Sequence, residues 1–109
     1  MHISKTDALL SLSGSKARFR EVFNHGTLNV EIYQPVGADH QNPHDRDEIY
    51  VILAGNGDFI CGEERFSFAA GDFFFVPAMA IHRFENFSED FATWVFFYGP
   101  KGGEANDND

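Results

Sequence analysis

The stretch that decides the fold is HQNPHDRDEIYVILAG, residues 40–55. From Glu48 onward it is apolar on both faces of a strand, and such a strand lies between two layers or in the wall of a barrel. The first half is polar, and His40, His44 and Glu48 follow one another at intervals of four residues. The stretch therefore joins a buried strand to side chains that can bind a metal.

Segments with the period of a β-strand fill most of the chain on either side of this stretch. Upstream, RFREVF and TLNVEIY are joined by NHG, where Gly26 can adopt the positive φ of a hairpin turn. Downstream, short apolar runs alternate with the turn sequences GNG, GEE and AGD. About eight strands at even spacing favour an all-β antiparallel barrel or jelly roll. A short N-terminal helix is also expected, because Ser4 and Asp7 resemble a capping pair.

Composition limits the class of protein. The chain has 109 residues, enough for one core, and its 13 phenylalanines favour a closed β-structure with an aromatic interior. A net charge of −9 argues against nucleic acid or an anionic membrane surface as partner. We recognise no secretory leader or membrane-spanning run, and the sole cysteine, Cys61, can form no intrachain disulfide. These observations predict a cytoplasmic protein.

The chain divides into three predicted parts. Residues 1–15 form the N-terminal helix and lead-in, and residues 16–99 form the barrel. Residues 100–109, PKGGEANDND, are small and acidic, so we expect a disordered tail.

Side chains at the starts of two predicted strands can meet at one mouth of a barrel. Glu48 and His44 are four residues apart and share a face if the strand extends that far, and His82 opens another strand. Two imidazoles and a carboxylate suit a divalent Fe, Mn, Zn, Ni or Cu ion, and non-haem iron oxygenases use such a set. Spacing alone leaves a second interpretation open, in which the histidines are solvated and Glu48 pairs with Arg46 or Arg83.

The chain resembles a cupin, a superfamily of small double-stranded β-helix barrels marked by two motifs. The first motif ends in a histidine pair, three or four residues, glutamate, six residues and glycine. The second runs from glycine through proline and histidine to asparagine. The matching positions are His44, Glu48 and Gly55 in the first motif, and Gly71, Pro77, His82 and Asn86 in the second. The resemblance implies a jelly-roll cupin barrel with a mononuclear metal site at His44, Glu48 and His82.

Two positions depart from the family pattern. Asn42 stands where the first histidine of the pair is expected, and we propose that His40 replaces it, since Pro43 bends the segment. Met79 stands at a turn glycine of the second motif and is expected to be a packing residue. The full predicted metal set is therefore His40, His44, Glu48 and His82.

Strand alternation predicts the side chains below the ligands. Tyr50 and Ile52 share the face of Glu48, and Asp45 and Asp47 fall on the other face, where we expect them to be solvated. For most of the predicted cavity residues, plain barrel core is the default interpretation. The predicted cavity-lining set is Tyr50, Ile52, Phe84, Trp94 and Phe96, with Tyr98 a further candidate.

Three functions remain open at this point. The chain could be a metalloenzyme, such as a dioxygenase, isomerase or decarboxylase, acting on a small and possibly aromatic molecule. It could instead be a non-catalytic module that binds a metal or small ligand, which the missing histidine at position 42 favours, or a scaffold that keeps only the fold. The resemblance also implies a homodimer, with the first hairpin or the last strand in the interface.

Overall fold

The structure, a computed structural model, describes residues 1–14 and 16–105. Within these residues the chain forms one short helix followed by eight strands. In chain order they are α1 (Lys5–Leu10), β1 (Phe19–His25), β2 (Leu28–Tyr33), β3 (Asp47–Ala54), β4 (Asn56–Cys61), β5 (Glu64–Ala69), β6 (Phe73–Val76), β7 (His82–Glu85) and β8 (Ala92–Tyr98).

The strands pair antiparallel in two sheets. One sheet has five strands in the order β1-β2-β8-β3-β6, and the other has three in the order β5-β4-β7. Strand β3, which contains Glu48, lies inside the larger sheet, whereas β7, which begins at His82, is an edge strand of the smaller one. The predicted all-β jelly-roll barrel with an N-terminal helix is confirmed.

An aromatic core fills the space between the two sheets. Phe59 and Phe84 have ring centroids 4.8 Å apart, and Phe84 and Phe91 are 4.7 Å apart. These separations are typical of packed aromatic pairs, which add to the free energy gained by burying the rings. The buried members of this core are Tyr50, Ile52, Phe59, Phe68, Val76, Phe84, Phe91 and Val95.

The helix covers part of the outer face of the larger sheet. Ser4 caps it by accepting a hydrogen bond from the Asp7 backbone N–H at 3.0 Å, as predicted. Ala8 and Leu12 are fully buried against Ile32, and this outer cluster also includes Trp94. No helix in the described part of the chain is long and apolar enough to cross a membrane.

The placement of Trp94 and Phe96 below the ligands was wrong. Trp94 lies directly opposite Ile32 and Phe96 opposite Val30, so both project from the outer face of the sheet. Strand β8 is apolar on both faces, and alternation alone therefore cannot tell which set points inward. Val95 is the β8 residue that joins the aromatic core, and Trp94 packs with the helix cluster instead.

The end of the chain is bound to the barrel as far as Glu104, contrary to the expected disorder from residue 100. The Gly102 backbone N–H donates to the Asp45 carbonyl at 2.6 Å, and the Glu104 N–H donates to Asp47 at 2.8 Å. Residues 106–109 of the predicted tail lie outside the described residues.

Candidate metal centre

His44, Glu48 and His82 converge at one mouth of the barrel. Each offers one ligand atom, and these atoms all lie within 4.8 Å of one another. The Glu48 Oε1 atom is 3.2 Å from His44 Nδ1 and 3.2 Å from His82 Nε2. Glu48 and His82 are buried, whereas the His44 side chain is one-third exposed. The alternative pairing of Glu48 with Arg46 or Arg83 does not occur, because Arg46 bonds Asn29 and Gly99 and Arg83 pairs with Glu85.

The turn at residues 77–80 fastens the two halves of this cluster together. The Met79 backbone N–H donates to the His44 carbonyl at 2.6 Å, and the Ala78 N–H donates to Asp47 Oδ1 at 3.0 Å. His82 follows this turn directly as the first residue of β7. The turn therefore fixes the position of His82 relative to the segment that carries His44 and Glu48.

Asp47 is not the solvated residue that alternation suggested. It is only 5% exposed, and its two carboxylate oxygens accept from the backbones of Ala78 and Glu104. Asp47 does face away from Glu48, but the turn and the end of the chain cover that side of β3. Asp45 remains exposed, as expected.

The hydrogen bonds of His82 identify which of its ring nitrogens is free. Nδ1 lies 2.9 Å from the Ala80 carbonyl oxygen, which can only accept, so Nδ1 carries a proton. The other nitrogen, Nε2, faces Glu48 Oε1 and lies 3.0 Å from the Tyr50 hydroxyl. A neutral His82 therefore turns a lone pair towards a carboxylate oxygen, an arrangement that a proton or a cation between them stabilises.

The titration behaviour of the cluster follows from the same contacts. Burial raises the pKa of Glu48, but hydrogen bonds from His44 and His82 outweigh it and leave the pKa below its ordinary value. Burial lowers the pKa of His82, and the contact with Glu48 outweighs that effect and raises it. The negative charge of Glu48 and the positive charge of His82 therefore stabilise each other.

The donor set fits a divalent transition metal. Glu48 Oε2 is buried and has no hydrogen-bond partner among the described residues, and an unpaired buried carboxylate oxygen is costly unless a cation or proton satisfies it. Two imidazole nitrogens and a carboxylate oxygen are ligands that Fe, Mn, Zn, Ni and Cu ions accept. His44, Glu48 and His82 would hold such an ion.

Tyr50 connects the cluster to a polar network on the loop before β3. Its hydroxyl donates to Gln41 Oε1 at 3.2 Å, and Gln41 Nε2 donates to Asp39 at 2.9 Å. Asp39 also accepts from the Tyr33 hydroxyl at 2.6 Å and the Phe84 backbone at 2.9 Å. Sequence reasoning missed Gln41 and Asp39, because nothing in a polar loop indicates which of its side chains turn inward.

A cavity of about 650 Å³ adjoins the cluster. It opens between the first hairpin and the 35–44 loop rather than under β7 and the inner face of β3. From the barrel wall it is lined by Glu31, Tyr33, Val95 and Phe97, and His44 lies at its inner end. The His44 and Phe97 rings are 4.9 Å apart in an edge-on contact.

The predicted cavity set does not line this space. The Tyr50 ring, Ile52 and Phe84 belong to the aromatic core, and only the Tyr50 hydroxyl reaches the cluster. The inward-facing residues of β8 are the odd-numbered ones, so Val95 and Phe97 occupy the position expected for Trp94 and Phe96.

A family comparison complements this geometry. The profile of the cupin domain matches residues 29–98, which run from β2 to the end of β8 and include the whole cluster. The chain belongs to the cupin family.

Individual relatives of this cupin resemble it over much of its length. An uncharacterized protein of Streptomyces coelicolor is 36% identical over 64 residues, 59% of this chain and 61% of that protein, so the match spans less than two thirds of the relative. The solved structure of a Thermus thermophilus protein shares 26% identity, with a TM-score of 0.69, over 92% of this chain and 100% of its own. A cupin-2 domain containing protein from Shewanella frigidimarina has a TM-score of 0.67 over 89% of this chain and 95% of its own; at 13% identity it shows a common fold alone.

The predicted fourth ligand of this cupin is not part of the cluster. His40 is exposed and lines the cavity, and only His44, Glu48 and His82 come together among the described residues. Asn42, at the family's histidine position, is also exposed at the cavity. Pro43 does not redirect the segment enough to bring His40 inward.

The remaining motif positions have conformational roles. Met79, in place of the family's glycine, has a φ of +70°, in the region that favours glycine, and its side chain is 62% exposed rather than packed. At Gly55 a Cβ atom would lie 2.6 Å from the Phe91 backbone, so a side chain does not fit there. Asn86 has a φ of +51° immediately after β7, where the chain bends.

Proposed function

We propose that this cupin binds one divalent first-row transition metal through His44, Glu48 and His82, and binds a small organic molecule in the adjoining cavity. The observation that carries the proposal is the convergence of three ligand atoms within 4.8 Å around a buried carboxylate with an unpartnered oxygen. A packed polar core would leave no such atom unpaired.

The surrounding residues would orient the ligands. The Ala80 carbonyl holds the Nδ1 proton of His82 and so directs the Nε2 lone pair into the site. With that lone pair committed to a metal, the Tyr50 hydroxyl keeps its proton on Gln41 and lies beside the open part of the site. A bound metal with only three protein ligands supplies Lewis-acid or redox chemistry.

Metal content is the first test. Protein purified without added metal or chelator is measured by elemental analysis, and chelated protein is titrated with Mn(II) and Zn(II). We expect one equivalent per chain, and Glu48→Gln and His82→Ala to weaken binding by more than about 10-fold, since substitutions outside the ligand shell already cost 10–100-fold.

His40→Ala is the matched control, because His40 lines the same cavity as His44 but does not join the cluster. Its metal affinity is expected to stay within about twofold of wild type, a difference in binding free energy of about 0.4 kcal/mol. A wild-type protein that holds no metal and gains no thermal stability when metal is added would overturn the proposal. An equal loss in His40→Ala would refute the three-residue ligand set.

We further propose that the site is catalytic rather than a sensor or scaffold. Three protein ligands leave positions open to substrate or O₂, and the cavity that leads to His44 gives a small molecule access. A dioxygenase is one candidate, and an isomerase or decarboxylase is another. Water-proton relaxation of the Mn(II) form tests the proposal: an exchangeable water on the metal supports it, and a closed coordination sphere favours a binding module.

We also propose that this cupin is a homodimer, paired through the outer face of the larger sheet. Phe73 and Phe75 on edge strand β6 are 62% and 49% exposed. They lie directly opposite Val51 and Ile49, and Ile49 lies opposite Phe96, so the rows continue across three strands without a charged residue. Such a patch favours a partner, and a second copy presents the same uncharged surface. The patch includes the predicted last strand, and Val30 of the first hairpin borders it opposite Phe96.

A further inference from the structure

The cavity carries an unusual arginine at the end away from the metal cluster. Arg18 immediately precedes β1 and lines the cavity together with Lys16. The chain has only 8 Lys and Arg residues against 17 Asp and Glu. Two of those eight at one cavity give it a local charge opposite to that of the whole molecule.

Arg18 is held in place without neutralisation of its charge. Its Nε donates to the Gln34 carbonyl at 3.0 Å and its Nη2 to Gln34 Oε1 at 3.2 Å, both uncharged acceptors. No salt bridge to Arg18 occurs within residues 1–14 and 16–105, whereas Arg65 and Arg83 both pair with carboxylates. Nη1 is therefore free to bind an anion.

The backbone of Arg18 is strained at this position. Its φ is +62°, in the left-handed region that is unfavourable for a non-glycine residue. The Gln34 backbone N–H holds it there by donating to the Arg18 carbonyl at 2.9 Å. Strain of this kind concentrates at ligand-binding positions, and here it sets the direction of a cationic side chain at a cavity.

The rest of the lining is largely apolar, and the cavity is elongated. Between Arg18 and His44 the cavity meets Phe19, Pro35, Val95 and Phe97. Asn29 of β2 and Glu48 of β3 both pair with Phe97 of β8, so Asn29 and Glu48 lie at the same level of the larger sheet. Gln34 lies five residues further along the chain than Asn29. At about 3.3 Å per residue this displacement is roughly 16 Å along the strand direction. Among the described residues Glu31 is the one carboxylate that lines the cavity, and it lies two residues along β2 from Asn29, towards the metal end.

We infer that the cavity takes an elongated, mainly apolar molecule with a single acidic group, a carboxylate or a phosphate, and that Arg18 is the residue that binds this group. A guanidinium presents paired N–H groups that match either anion. The opposite end of such a molecule would reach the metal cluster. The inference rests on the proposed function in taking this cavity as the ligand site, but the anion contact needs no metal.

Calorimetry on chelated, metal-free protein tests the inference with four probes. These are 4-phenylbutyrate, its uncharged amide, 3-phenylpropyl phosphate and the shorter phenylacetate. We expect an acid to bind at least about 10-fold more tightly than the amide, a difference of 1.4 kcal/mol. The two longer acids distinguish carboxylate from phosphate, and 4-phenylbutyrate should bind more tightly than phenylacetate. Equal affinity for acid and amide overturns the inference and requires no variant.

Variants then assign the contact to Arg18. Arg18→Gln should lower affinity for the preferred acid about 10-fold and leave the amide unchanged, and Arg18→Lys should restore part of the loss. Arg20→Gln is the matched control, because Arg20 lies two residues further along, in β1, is exposed and does not line the cavity. An Arg18→Gln protein that binds the acid as wild type does refutes the assignment.

The metal titration and the acid titration of wild-type protein together separate this inference from the proposed metal function. Acid binding without any metal affinity would leave this inference standing and remove the metal function. Metal binding with no preference for acids would do the reverse.

Discussion

One residue, Met79, carries a backbone conformation that its side chain does not favour. At φ +70° a Cβ atom crowds the backbone, and most of the methionine side chain is in solvent and gains little from burial. The conformation persists because the Met79 N–H is bonded to the His44 carbonyl. The hydrogen bond that maintains this strained conformation therefore also helps to hold His44 beside the other candidate ligands.

Replacing Met79 with glycine should stabilise the protein. We expect Met79→Gly to raise the free energy of unfolding by about 1 kcal/mol, the relief of strain less the greater entropy of the unfolded chain. Urea denaturation measures it. Asn86→Gly is the comparison: Asn86 also has positive φ, but asparagine tolerates it and donates to Asp58 at 3.1 Å, so no gain is expected there. A loss of stability in Met79→Gly would show that the side chain contributes contacts.

At this scale the sequence predicted ligands better than their supports. His44, Glu48 and His82 follow from spacing and the cupin resemblance. Asp47 and the hydroxyl contact of Tyr50 do not, because each depends on a partner from a distant segment. His40 shows the converse error: its chemistry was right for a ligand, but the path of the loop decides where the ring lies.

Among the elements, the start of β3 is bound to two other segments, the 77–80 turn and the end of the chain. The Asp47 carboxylate accepts from the 77–80 turn and from Glu104, while the neighbouring Asp45 carbonyl accepts from Gly102. Without a charged acceptor at Asp47, the backbone N–H groups of Ala78 and Glu104 would lose their partner. The turn would then be free to move away from the strand.

Asp47→Ala should therefore lower the free energy of unfolding by about 2–4 kcal/mol, from the loss of two charge-assisted hydrogen bonds. Asp47→Asn keeps one acceptor oxygen and should fall between this value and wild type. Asp45→Ala should change stability by less than about 0.5 kcal/mol, because that side chain is exposed and its bond uses the backbone. Thermal and urea unfolding measure all three. Equal effects at positions 45 and 47 would contradict the role assigned to the Asp47 carboxylate.

Strand type was predictable, but the facing of β8 was not. In β7 the alternation of polar and apolar residues gave the inner face correctly, with His82 and Phe84 buried. In β8 both faces are apolar, since one packs into the core and the other meets the helix cluster and the outer patch. Its orientation is set by pairing with β2 and β3, which no local pattern encodes.

For the whole molecule, the outer face of the larger sheet determines the expected assembly. Light scattering after size exclusion should give twice the mass of the chain. Phe75→Glu places a charge within the uncharged patch, at its exposed edge strand, and should shift the protein to monomer without unfolding it. Phe66→Glu, at an exposed phenylalanine on the smaller sheet, is the control and should remain dimeric. A monomeric wild-type protein would refute this interface.

The candidate metal centre also lies between the two sheets of the barrel. His44 and Glu48 belong to the segment that enters the five-stranded sheet, and His82 begins an edge strand of the three-stranded sheet. A cation bound by all three would hold the two sheets together at this mouth. Amide hydrogens of the short strand His82–Glu85 would then exchange with deuterium more slowly in the metal-bound protein than in the chelated one. The exchange rate of this strand would therefore report whether the site is occupied.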